Sequence, residues 1–213
     1  MRTIRRGGEH QIDIKKSRFI CALARVADED EARAFIAERR RLHWNATHNC
    51  TAYVLGEDGG VQRSSDDGEP AGTAGVPMLE VLRHRGLTDT VAVVTRYFGG
   101  IKLGAGGLIR AYGSAVSAAV DAVGVLERRS LPVMTVLADY QQAGRLESDL
   151  RESPHRVLDV RYGADVEVDV ALDGTDPAEF AAWVAEITAG QALCEPQGVT
   201  TVEVEVGADG TAR

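Results

Sequence analysis

Apolar and polar positions alternate through residues 11–25. Ile12 and Ile14 stand beside Asp13 and Lys15, and Arg18-Phe19-Ile20-Cys21-Ala22-Leu23 continues the apolar character. A period of two predicts extended structure here. The acids at 28–31 then open a helix, where carboxylates favour the positive dipole end, and Ala32, Phe35 and Ile36 supply its apolar stripe. Arg39-Arg40-Arg41 closes that helix with bases at its negative end, so the triplet reads as helix chemistry rather than as a nucleic-acid contact. Residues 51–55 read as a strand, 56–60 as a turn and 61–65 as the returning partner. A polar loop punctuated by glycine runs from Ser65 to Gly75. From about Pro77 a helix follows, with Met78, Leu79 and Leu82 on its apolar face. Residues 90–95 hold the unbroken run VAVV of a buried strand, and 105–123 read as a helix rich in Gly and Ala.

Beyond a short polar joint at 127–130 the pattern changes. Strands are predicted at 131–137, 156–161, 166–172 and 199–206, with Asp165, Glu167 and Asp169 on the solvent side of the third. Helices are predicted at 141–152, with Leu146 and Leu150 on one face, and at 177–188, with Phe180, Trp183, Val184 and Ile187 at helical spacing. The order βαββαβ is the ferredoxin-like pattern. The chain therefore reads as α+β in two domains, 1–129 and 130–213.

Charge sharpens that division. The net charge is −8, made of +3 over residues 1–129 and −11 over 130–213. An acidic second half repels nucleic acid, so an RNA-facing surface is expected in the first half. No apolar run is long enough to cross a bilayer, and the N-terminus, with its charged Arg5-Arg6, lacks a secretory apolar region and reads as a mobile end. A cytoplasmic protein with no membrane contact is expected. Cys21, Cys50 and Cys194 are scattered, which fits neither a disulfide framework nor a Cys-rich zinc site. Neither a metal nor a cofactor is implied.

The stretch TRYFGGIKLGAGGLIRAYG, residues 95–113, joins a strand to a helix. Helix N-termini attract anions, glycine lets backbone approach a ligand closely, and Arg96, Lys102 and Arg110 add positive charge. A phosphate-binding loop is one reading. Close helix–sheet packing through Gly106, Gly107 and Gly113 is the other. Neither standard nucleotide signature is met. Ala105 stands where a P-loop needs lysine, and Ile109 stands where the dinucleotide fingerprint needs its third glycine. Asp66, Asp67 and Glu69 could hold a divalent cation or act as acid and base, although such loops are more often self-capped turns. His43, His48 and Cys50 do not match a zinc spacing, and Cys50 is read as a core cysteine.

Together these motifs resemble one family. The stretches are Ile14-Lys15-Lys16-Ser17-Arg18-Phe19-Ile20, Ala46-Thr47-His48-Asn49-Cys50, Ser65 to Gly75 (SDDGEPAGTAG), and Thr95-Arg96-Tyr97-Phe98-Gly99-Gly100-Ile101-Lys102-Leu103-Gly104 with Gly106-Gly107-Leu108. They look like the IMPACT/YigZ family, with Ala71 where serine is common and Thr51 where an aromatic is common. The resemblance implies a first domain like domain two of ribosomal protein S five. It implies a second, ferredoxin-like domain similar to the C-terminal domain of elongation factor G. Eukaryotic relatives regulate translational control through a partner of a stress-responsive kinase. They use an N-terminal RWD domain that this chain lacks, so that role is not expected here.

The expected function is a non-enzymatic, translation-associated regulatory protein whose N-terminal domain binds RNA, the ribosome or a protein partner. In this reading Arg96, Lys102 and Arg110 contact phosphate, and Tyr97 and Phe98 stack. Gly99, Gly100 and Gly104 shape the loop. The alternative is a phosphate-ligand or nucleotide-binding enzyme in which Asp66, Asp67 and Glu69 approach the glycine segment. No catalytic residue is implied by the resemblance. In a third reading the SDDGEP and FGGIKLG motifs pack on each other and shape one protein-binding surface.

Overall fold

The computed structural model describes residues 1–205. The chain divides into two compact units, Met1–Arg128 together with the end of the last strand from Glu203, and Arg129–Val202. Val206, placed in the last strand by its alternation, lies outside the described residues.

The first unit is built on an antiparallel sheet. Its strands are β2 (Gly8–Ile14), β3 (Ser17–Arg25), β4 (His48–Leu55), β5 (Val61–Ser65) and β6 (Thr90–Tyr97), in the order β2-β3-β6-β4-β5. The central strands are covered on both faces, which is why β6 is apolar without interruption through VAVV. On one face lie α2 (Gly75–His84) and α3 (Ala105–Val123), packing Met78, Leu82, Tyr112, Val116 and Val120 against Phe19, Cys21, Cys50, Ala52 and Val94. On the other lies α1 (Glu29–Leu42), whose Ala32, Phe35 and Ile36 meet Tyr53, Leu55 and Val91. Asp28 caps α1 by accepting from the N–H groups of Asp30 and Glu31, both at 2.9 Å. Arg39, Arg40 and Arg41 fill its last turn, as the charge pattern predicts.

Residues 127–130, read as a polar joint, instead lie inside one continuous strand, Val125–Ala138, and two further local features differ from expectation. The stretch read as one extended segment is a hairpin, β2 and β3, turned at Lys15 and Lys16 with φ of 47° and 65°. A two-residue turn of this hand normally announces itself with Asn or Gly, and two lysines do not. The N-terminus is not a loose end. Residues Arg2–Ile4 form β1, paired with the first residues of β7 (Val125–Ala138), and Arg5 donates its backbone N–H to Gly124 at 2.9 Å. Ile4 is fully buried in the core, and this anchors a segment too short to show periodicity.

In the second unit, α4 (Tyr140–Glu152), β8 (Arg156–Tyr162), β9 (Val166–Ala171), α5 (Pro177–Ile187) and β10 (Leu193–Glu205) follow β7. β7 lies between β10 and β9, with β8 beyond β9. Val136, Val168 and Val170 meet Leu146, Leu150, Phe180 and Val184 in a separate core. Among the described residues no helix is long and apolar enough to cross a membrane.

Candidate functional site

Four chain segments meet at the end of the sheet where β6 finishes: the turn at 15–16, the α1–β4 connection, the loop after β5 and the glycine segment after β6. The acidic loop is held from within. Asp66 accepts from the N–H groups of Gly72 at 2.8 Å, Ala74 at 3.0 Å and Gly75 at 2.8 Å. It thereby satisfies the first turn of α2, whose own N-cap Ala74 offers no side-chain acceptor. Burial pushes its carboxyl upward, but the three N–H donors outweigh this and hold it below the ordinary value. Asp67 sits at φ 45°, accepts from the Asn49 N–H at 2.7 Å, and pairs with Arg40 at 3.0 Å. Its carbonyl lies 2.8 Å from His48 Nδ1.

Glu69 is buried. Its Oε1 accepts from Arg96 at 2.6 Å and from the Tyr112 hydroxyl at 2.8 Å, while Oε2 lies 3.8 Å from His48 Nε2. Cys50 donates its thiol to the Asp66 carbonyl at 2.9 Å, and burial pushes that thiol up to about 12. Each carboxylate that could have held a cation is thus engaged by protein donors. Among the described residues no group of three His, Cys, Asp or Glu is placed to hold a metal ion.

The glycine segment sorts the candidate residues by depth. Arg96 is 5% exposed, lies between the rings of Phe19 and Phe98 at 5.3 Å from each, and has its charge balanced by Glu69. It is a structural cation rather than an open phosphate contact. Tyr97 is also occupied. Arg18 covers its ring at 4.4 Å, and its hydroxyl lies 2.9 Å from His43 Nδ1. Phe98 is 45% exposed. Gly99 admits no side chain, because a Cβ there would lie 1.9 Å from the Lys16 carbonyl oxygen. Gly104, at φ 73°, is the N-cap of α3 and leaves its first N–H groups without a side-chain partner. Gly106 does not pack closely as expected. It lies on the exposed side of α3, where an added Cβ would meet nothing nearer than Arg110 at 3.8 Å.

A cleft of about 410 Å³ opens here. Arg96, Glu69 and His48 lie along its buried side; Phe98, Pro70 and Leu108 give it apolar walls; Lys102 and the start of α3 flank it. Arg110 is exposed on α3 outside the cleft lining, and Gly100 turns the segment at φ 85°. Lys15, Lys16 and Arg18, singled out in the sequence only for their motif, belong to this surface. The Arg18–Tyr97 register and the Lys16–Gly99 approach bring them there. A wider groove of about 610 Å³ in the second unit is lined by His155, Phe180 and Trp183 beside α4, but its Arg145 already pairs with Asp149.

A profile described as the Impact N-terminal domain matches residues 15–120, and one described as a domain of unknown function matches 136–191. The chain is 50% identical to the IMPACT family member YvyE of Bacillus subtilis, over 96% of this chain and 94% of that protein. It is 41% identical to the IMPACT family member YigZ of Escherichia coli, over 84% and 88% of the two chains. A crystal structure described as that of a hypothetical protein is 37% identical, covers 91% of this chain and 95% of its own, and superposes with a TM-score of 0.57.

Proposed function

The chain belongs to the IMPACT family, and on that premise we propose that it is a translation-associated regulatory protein that binds RNA, on or off the ribosome, through its first unit and performs no catalysis. One observation carries the reading. Lys15, Lys16, Lys102 and Arg18 are exposed around Phe98 and the cleft, whereas Asp66, Asp67 and Glu69 of the neighbouring loop are each engaged by protein donors. Among the described residues the three lysines have neither an ion pair nor a side-chain hydrogen bond. Cations free to meet phosphate, beside an exposed aromatic, suit a nucleic-acid backbone. Such a role places the protein in the cytoplasm.

The test is co-sedimentation with ribosomes and direct RNA binding, at low and moderate salt, for the native chain and for Lys15→Ala/Lys16→Ala and Lys102→Ala/Arg110→Ala variants. Association is expected to weaken with salt. Each lysine removed from a phosphate contact should flatten the log–log salt slope by about 0.7 on a single strand. Unchanged affinity and slope in both variants would remove this surface from the reading.

The cleft and the uncapped start of α3 also favour a phosphate-bearing small ligand. Calorimetric titration with nucleotides, with and without Mg²⁺, distinguishes that reading. Saturable heat that is lost on Lys102→Ala would favour it over RNA.

A further inference from the structure

Trp44 is 82% exposed, the most exposed large apolar side chain described in the protein. It is not on a loose loop. His43 before it meets Tyr97 through Nδ1 at 2.9 Å, and Asn45 after it accepts from the same hydroxyl at 3.4 Å. The Ala46 N–H reaches the His43 carbonyl at 3.0 Å. The Thr47 N–H reaches the Arg96 carbonyl at 2.9 Å, and its hydroxyl accepts from the Phe98 N–H at 3.1 Å. The indole is thus presented to solvent by a backbone fixed on both sides to the end of β6. An indole buries a large area when it finds a partner, and nothing among the described residues takes it up.

The surroundings indicate what would. Tyr97 and Arg18 are stacked on the α1 side of β6, the same side as His43, and the lysine turn lies beyond them in register. Phe98 stands at the same strand end on the cleft side, followed by Lys102. Of the nearby acids, Glu9 pairs with Arg39 and Asp67 with Arg40, while Asp13, opposite Arg18 in the β2–β3 register, accepts from the Gln11 amide at 3.0 Å. Two exposed aromatic side chains and several exposed cations at one end of the sheet complement a chain of anions carrying flat π-faces. A duplex offers no such faces, because its bases are stacked on each other.

We propose that Trp44 is a base-stacking residue for single-stranded RNA. The strand crosses the sheet end with one base on Trp44 and another on Phe98, and its phosphates pass Arg18, Lys16 and Lys102. This rests on the RNA reading above and adds the strandedness of the ligand and a residue outside the glycine and acidic motifs.

The experiment measures binding of the full chain to a labelled single-stranded 12-mer and to its duplex, for the native protein, Trp44→Ala and Trp44→Phe. In a Trp183→Phe background Trp44 is the sole indole, so its emission reports contact directly. Tight binding of the single strand over the duplex is expected, with quenching of Trp44. Trp44→Ala should lose about tenfold in affinity at an unchanged salt slope, and Trp44→Phe should retain most of it. Native binding with no loss in Trp44→Ala and no quenching would overturn the stacking role and leave the RNA reading standing. Failure of the native protein to bind any oligonucleotide, with nuclease-resistant ribosome association, would overturn the RNA reading itself and assign the surface to a protein partner.

Discussion

Among single residues, those on the buried side of the cleft act on stability before they act on any ligand. Glu69 and Arg96 neutralise each other at 2.6 Å with side chains 4% and 6% exposed. Removing one partner leaves a buried charge without its counterion, which is far costlier than never having placed the pair. Glu69→Ala is expected to destabilise the first unit by about 3–5 kcal/mol in denaturant unfolding. Tyr112→Phe, which removes one of two donors to Glu69 Oε1, should cost about 1–2 kcal/mol. His43 gives a prediction of a different kind. Arg39 can only donate, so the 2.9 Å contact makes Nε2 the acceptor and places the proton on Nδ1, toward the Tyr97 hydroxyl. Burial, then the Arg39 charge, lowers the imidazole below its ordinary value of 6.5. A folded state that resists protonation binds fewer protons than the unfolded chain. This contribution is therefore complete above pH 6.5 and is lost as pH falls through the lowered folded value. Stability followed from pH 8 to about pH 5 should fall more for the native protein than for His43→Gln, and a proton-resonance titration of His43 should lie below the free-imidazole midpoint.

Among elements, the glycine segment separates what spacing reveals from what it hides. Gly99 must be glycine because the β2–β3 turn comes against it, so Gly99→Ala is expected to displace that contact and lower stability by about 2–4 kcal/mol. Gly106 has open space and helical backbone, so Gly106→Ala should stabilise α3 by about 0.5–1 kcal/mol. The two substitutions, compared in one thermal series, distinguish close approach from mere composition. Most elements are legible in the sequence because their signals are local. Acids and bases bracket α1, the run VAVV marks β6, and the apolar stripes of α4 and α5 define their buried faces. The lysine turn is hidden because positive φ there is imposed by the pairing of β2 with β3, and β1 because its three residues are held only by distant partners. The candidate site is half legible for the same reason. Glycine density and charge locate the segment, but depth is set by strand register. Alternation along β6 turns Arg96 toward Phe19 and Glu69 and Tyr97 toward His43 and Arg18, and the irregular segment after the strand leaves Phe98 and Lys102 at the surface.

Across the full length of the chain, residues far apart in sequence meet the last described strand within the first unit. Glu203 accepts from Arg25 and, at 3.0 Å, from Arg128, which also pairs with Asp89 at 2.7 Å. Glu205 reaches Arg5 at 2.8 Å. Arg25, Asp89 and Arg128 thus form one charge network with Glu203, and Arg5 pairs separately with Glu205. The bond from Arg25, above all, holds the Glu203 carboxyl down at about 2, against 4.5 for a free glutamate. A depressed carboxylate stabilises the fold fully above the unfolded value and ceases to do so as pH falls through the folded one. The stability difference between the native chain and Glu203→Gln should therefore be present at neutral pH, shrink below pH 4.5 and vanish near pH 2. The group is a third exposed, so salt should reduce the difference as well. Denaturant midpoints measured at about pH 7, pH 4 and pH 2.5 check this directly. A difference independent of pH would mean that Glu203 acts through packing, and that charge is not what holds the end of β10 in place.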